Sequence, residues 1–211
     1  MDLKANIERI AAYTAAHESL SVAHHFLYDL RRPANGKPEY VVMGVNPGET
    51  ARDWRLSPTP TEETSRFDFH GDTALKGSAA RWSSLTDRFL GGADYVLAEL
   101  FLWSSRDMTQ FRQRFGPIEA SPHLAFCRDM NRDIISAYAP KAVIAPGIGT
   151  AALVSGLYGL TYEKPIKAGN VRVAERYTDG VRSWLFNIHW TGYRGFSDCL
   201  RNAVKDAIAT L

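Results

Sequence analysis

Three stretches of this chain place chemistry-bearing side chains just after an apolar run: GVNPGE (Gly44–Glu49), APGIGT (Ala145–Thr150) and IHWTGYRG (Ile188–Gly195). In the first, Gly44 permits close backbone approach, and Pro47 fixes a turn while biasing Asn46 towards extended geometry. The Asn46 amide would then stand at a strand exit, able to orient a water molecule or to bind the edge of a base. Gly48 leaves a backbone N–H accessible. A plain turn, with the Asn side chain capping its own backbone, would use the same residues.

The third stretch is richer. His189 can be neutral or charged near pH 7 and can stabilise a developing anion. Arg194 offers a guanidinium suited to phosphate, Thr191 and Ser197 offer hydroxyls, and Trp190 and Tyr193 offer flat faces for stacking. The middle stretch lacks the full spacing of a dinucleotide-binding glycine loop, and no Gly-Lys-Ser/Thr follows it. It reads as a tight turn that lets a helix pack closely on a sheet.

Other chemistries find no support. His17, His24, His25, His70 and His123 show no metal-ligand spacing, and no Gly-x-Ser-x-Gly elbow is present. Cys127 and Cys199 are too few for a disulfide framework, a four-thiolate zinc site or an iron–sulfur cluster, and are expected to be buried, reduced thiols. No metal and no cofactor is expected.

The elements that must carry these stretches follow from periodicity. Residues 2–31 repeat apolar positions at helical spacing, predicting two helices or one bent one. The segment Arg31–Tyr40 holds two prolines and an Asn-Gly pair and reads as a turn. YVVMGV, Asp94–Ser105, KAVIAP and Arg182–Trp190 read as core strands, with VRVAER as a short alternating one. Helices are expected at Ala79–Leu90, Phe126–Tyr138 and the C-terminal DCLRNAVKDAIATL. Between Pro47-Gly48 and Ala79 the chain is irregular, a length of loop that is usually functional.

Strands alternating with helices imply an α/β fold whose mostly parallel sheet binds ligands beyond the carboxyl ends of its strands. The 211 residues suit one domain, and 45% apolar with 23% charged residues is ordinary for a globular chain. A net charge of +2 means that nucleic-acid affinity would need a local basic patch. The charged N-terminus does not look like a secretory signal and no run is long enough to span a membrane, so a cytoplasmic protein is expected.

Taken in order, these stretches resemble the uracil-DNA glycosylase superfamily across residues ~38–208. YVVMGVNPGET is similar to the first active-site motif of the mismatch-specific and single-strand-selective branches. RFDFHGDTALKGSAARWSSL is similar to the loop and helix after it, SAYAPKAVIAPGIGTAAL to the Pro-Lys strand and glycine turn, and NIHWTGYRGFS stands where the second motif lies. There the chain departs from the usual His-Pro-Ser or Asn-Pro-Ser.

The resemblance implies a three-layer α/β/α sandwich around a central, mostly parallel four-stranded sheet, with 1–211 as one domain and 1–37 as a helical extension packed on it. It implies a monomeric DNA-repair enzyme that flips out uracil or a related deaminated base and hydrolyses its N-glycosidic bond. Asn46 and His189 would be catalytic. Gly44, Val45, Pro47, Gly48, an aromatic at Phe67 or Phe69, and Ser104 or Ser105 would hold the base. Thr191, Gly192, Tyr193, Arg194 and Ser197 would contact DNA. Two other readings remain open: a divergent relative that binds nucleic acid, a nucleotide or a free base in the same pocket, and an unrelated α/β enzyme.

Overall fold

The computed structural model describes residues 3–23, 29–31, 37–48, 84–188 and 197–211. Within them the fold is α/β with a mixed sheet. Its strands, in the order β1-β3-β2-β4-β7-β6-β5, are β1 (Asp29–Arg31), β2 (Tyr40–Gly44), β3 (Tyr95–Glu99), β4 (Ala142–Pro146), β5 (Thr161–Ala168), β6 (Val171–Thr178) and β7 (Ser183–Asn187). Six strands have five or more residues, and the three-residue β1 stands at one edge. The expected four-stranded, mostly parallel sheet is therefore corrected.

The parallel part is β2-β4-β7, with Tyr40 beside Ala142 and Ala142 beside Ser183. β6 then runs antiparallel to β7, and β5 antiparallel to β6. β5 escapes the sequence reading for a physical reason. Its first five residues are all exposed and Pro165 lies within it, so it shows neither alternation nor an apolar run. The Asp29–Arg31 strand also corrects the expectation of helix through residue 31.

The chain clusters into two compact units. One holds residues 1–29, 44–68 and 97–137; the other holds 30–43, 69–96 and 138–211. In the first unit, α1 (Leu3–Ala15), α2 (Met108–Phe115) and α3 (Leu124–Tyr138) surround an aromatic core. Tyr13 stacks on Phe126 at 3.8 Å, and Phe101 meets Trp103, Phe111 and Phe115 at 4.9–5.5 Å between ring centroids. Such pairs add about 0.5–1.5 kcal/mol each beyond the burial of their surface. The Trp103 indole N–H donates to Thr14 Oγ1 (3.0 Å), and Arg9 pairs with Asp133 (2.6 Å), so α1 is tied to the rest of its unit by polar as well as apolar contacts.

In the second unit the apolar runs of β2, β4 and β7 pack with α5 (Asp198–Ala209) through Val42, Ile144, Leu185, Val204 and Ile208. Runs buried on both faces explain why these strands read plainly from sequence. The Ala145–Thr150 turn forms as expected. Gly147 takes φ +149, the Thr150 hydroxyl donates to the Gly147 carbonyl (2.8 Å), and α4 (Ala151–Tyr158) follows. Helical turns at 84–89 match part of the expected Ala79–Leu90 helix. Cys127 is buried, whereas Cys199 is exposed, correcting the expectation of two buried thiols. Among the described residues no helix is long and apolar enough to cross a membrane.

Candidate functional site

The Gly44–Gly48 exit belongs to the first unit, and its shape comes from pairing that continues past the ends of the strands. Leu100 N donates to Gly44 O (2.9 Å), Phe101 N to Val45 O (2.9 Å) and Ser105 N to Pro47 O (3.0 Å). A parallel bridge joins Gly48 to Ser105. Residues 44–48 are thus held alongside 100–105 as an irregular extension of two strands rather than as a free loop.

That pairing fixes Asn46. Its Nδ2 donates to Ser105 Oγ (2.9 Å), to Pro47 O (3.1 Å) and, at longer range, to Trp103 O (3.4 Å). Two of these acceptors are carbonyl oxygens, which can only accept, so the amide has one workable orientation. Its Oδ1 therefore occupies the opposite edge of a half-buried side chain. Ser105 in turn gives its proton to Asp107 O (3.1 Å), and Asp107 caps α2 by accepting from Gln110 N (2.8 Å). Asn46 is anchored through one hydroxyl to the start of a helix.

At Gly44, two residues before Asn46, stands a group that the sequence reading missed. Glu99, the last residue of β3, is buried, and its carboxyl occupies the space that a side chain at position 44 would fill. A Cβ added to Gly44 would lie 2.8 Å from Glu99 Cδ and 2.9 Å from Oε1. Gly44 is therefore required by a close approach, and the approaching group is this acid. Glu99 Oε2 is buried with no hydrogen-bond partner among the described residues, and burial pushes the carboxyl up to about 8. Burial favours its neutral, protonated form. Asn131 of α3 donates from Nδ2 to the Glu99 backbone carbonyl (2.8 Å), and its own Oδ1 is buried without a partner among the described residues. The available signal was a lone acid inside the apolar run YVLAELFLW, and periodicity alone does not register it.

The predicted residues fall into three groups. Gly44, Val45, Asn46, Pro47, Gly48, Ser104 and Ser105 come together in the first unit, with Ser104 and Ser105 buried. The Ser105 hydroxyl is occupied by Asn46 and Asp107, so it positions Asn46. Ser197, in the second unit, is exposed and caps α5 by accepting from Leu200 N (3.4 Å). Phe67, Phe69, His189, Thr191, Gly192, Tyr193 and Arg194 lie outside the described residues.

Two further features bear on chemistry. At the end of β7, Asn187 is fully buried, accepts from Gly147 N through its carbonyl (2.7 Å) and has an Oδ1 without a partner among the described residues. In the first unit, His17 and His123 approach at 5.1 Å between ring centroids, and Tyr13 OH bonds His123 Nδ1 (3.2 Å). Burial first, and then His17, holds His123 below its ordinary pKa. This cluster belongs to the seat of α1. Among the described residues no group of three or more His, Cys, Asp or Glu side chains could hold a metal ion.

Compared with known proteins, the chain matches no family model and no curated protein.

Proposed function

We propose that this chain is a DNA-repair glycosylase that excises uracil or a related deaminated base, built as the three-layer sandwich of the superfamily its motifs resemble. The observation that carries the reading is the fixed amide of Asn46. Its donating edge is consumed by Ser105, Pro47 and Trp103, which leaves its accepting edge for a ligand or a water. An amide presented in this way can hold a water molecule but is too weak a base to deprotonate it fully.

The chemistry is then dissociative. The bond from C1′ to the base nitrogen breaks first, and its electron pair leaves with the base. The water held by Asn46 Oδ1 forms the new C1′–O bond and releases its proton to the departing base or to solvent. His189 stabilises the anionic base where charge develops, an effect worth roughly 10²–10³ in rate for one well-placed donor. Phe67 or Phe69 stacks on the flipped base, while Thr191, Gly192, Tyr193, Arg194 and Ser197 engage the backbone.

The test uses single- and double-stranded oligonucleotides carrying uracil, hypoxanthine or xanthine, followed by alkaline cleavage of abasic sites. Scission that disappears in Asn46→Ala and His189→Ala is the expected outcome. DNA binding without scission on any substrate contradicts excision and favours a divergent binder.

A further inference from the structure

We propose that Glu99 is a base-binding residue of the Asn46 site, donating its carboxylic acid O–H to a carbonyl oxygen of the bound base. The inference rests on the glycosylase reading for the identity of the ligand, and on four observations of the first unit for the residue.

The carboxyl is buried yet incomplete. Buried polar atoms in folded proteins are nearly always partnered, and an orphan calls for a reason. Glu99 Oε2 is such an orphan, and nothing about packing requires an acid there, since a leucine would fill similar space without the penalty of a buried polar group.

The chain also makes room for it. Position 44 is a glycine, and its missing Cβ is the space that the Glu99 carboxyl occupies. The acid is thereby brought against the backbone of the motif that carries Asn46, two residues further on. The fixed amide and the orphaned acid belong to one strand exit.

The third observation is the state of the acid. Burial is the one cause that holds its proton, with no contribution from a charged side chain. Gly44, from the end of β2, lies against the carboxyl, and Asn131 of α3 bonds the Glu99 backbone carbonyl; neither titrates. A neutral acid offers a donor and an acceptor side by side, matching the C=O and N–H of a lactam edge. Uracil, hypoxanthine and xanthine carry that edge.

The fourth is the neighbouring serine. The Ser105 proton is given to Asp107 O, so this hydroxyl does not donate to a base while that bond stands. The donating role falls to Glu99.

The experiment measures single-turnover uracil release and, separately, calorimetric binding of free uracil, for the full chain and for Glu99→Leu and Glu99→Gln from about pH 6 to about pH 9, below the ionisation of uracil itself. Glu99→Leu is expected to lose at least ~100-fold in both while keeping or raising the melting temperature, because a site built to pair a polar edge discriminates strongly once the pairing is removed. Glu99→Gln retains a donor, so it is expected to work at pH 7 and to lose the fall in binding that the wild-type chain shows above about pH 8. A folded Glu99→Leu with wild-type binding and release overturns the assignment. So does a Gln variant that keeps the wild-type alkaline fall. A chain that binds uracil in a Glu99-dependent way without excising it overturns the glycosylase reading and leaves Glu99 as the reader of the base. A wild-type chain that neither binds nor releases uracil overturns both.

Discussion

Glu99 and Glu175 are equally buried, each 8% exposed, and are treated in opposite ways. Glu175, on β6 of the second unit, is paired at both oxygens. Arg172 donates to Oε1 (2.6 Å) and Tyr177 OH to Oε2 (3.1 Å). Glu99, at the end of β3 in the first unit, has among the described residues an orphaned oxygen and no charged neighbour that lowers its pKa. The pairing around Glu175 is what a sheet needs in order to bury an acid. The lack of it around Glu99 leaves an unmet hydrogen bond at a strand exit that also carries an oriented amide.

The comparison is broken most forcefully through activity. Replacing Glu99 by leucine should lower uracil release ~100-fold or more, whereas Glu175→Gln should leave release unchanged. Equal losses in the two variants would mean that both acids are merely structural. Release rates and melting temperatures measured together decide this.

The next largest effect is on stability against pH. An unfolded Glu99 gives up its proton near the ordinary carboxyl value of 4.5, while the folded one keeps it up to about 8. Between these values the folded state holds a proton that the unfolded state lacks, so stability falls as pH rises through that window. The expected loss is a few kcal/mol across the window at about 1.4 kcal/mol per pH unit of difference. Denaturant unfolding from pH 4 to pH 9 should show this slope in the wild-type chain and a flatter one in Glu99→Gln.

A smaller effect sharpens the geometry. Gly44→Ala drives a methyl group into the Glu99 carboxyl and should cost about 1–3 kcal/mol as overpacking. Combining it with Glu99→Ala should recover part of that loss, giving a coupling energy of roughly 0.5–3 kcal/mol, whereas strict additivity would place the two groups apart. The smallest effect belongs to the paired acid. Glu175→Gln weakens an ion pair whose arginine is half-exposed, and should cost about 1 kcal/mol or less in chemical denaturation.

What the sequence discloses of this molecule follows the same division. Runs such as YVVMG and AVIAP are buried on both sides and declare themselves through composition. TYEKPIKA is a strand only because β6 pairs with it, so its own pattern says little. Asn46 stands out because Asn-Pro-Gly is a local signal of turn geometry. Glu99 does not, because its importance lies in a contact with Gly44, fifty-five positions earlier, and in the absence of a partner. Ser105 was visible as a polar residue at a strand end, yet its role in orienting Asn46 depends on the 2.9 Å bond between them. Local chemistry is written in the chain; satisfaction of buried groups is a property of the fold.

The central claim is that the Asn46 exit is a base-excising site. It is tested most directly by the rate of uracil release from a single-stranded oligonucleotide, comparing the wild-type chain with Asn46→Ala at matched thermal stability. The account predicts release by the wild type and a rate at least ~100-fold lower in the variant, the scale of one lost positioning and charge-stabilising group. Release that continues undiminished without the Asn46 amide, or no release by the wild-type chain, would contradict it.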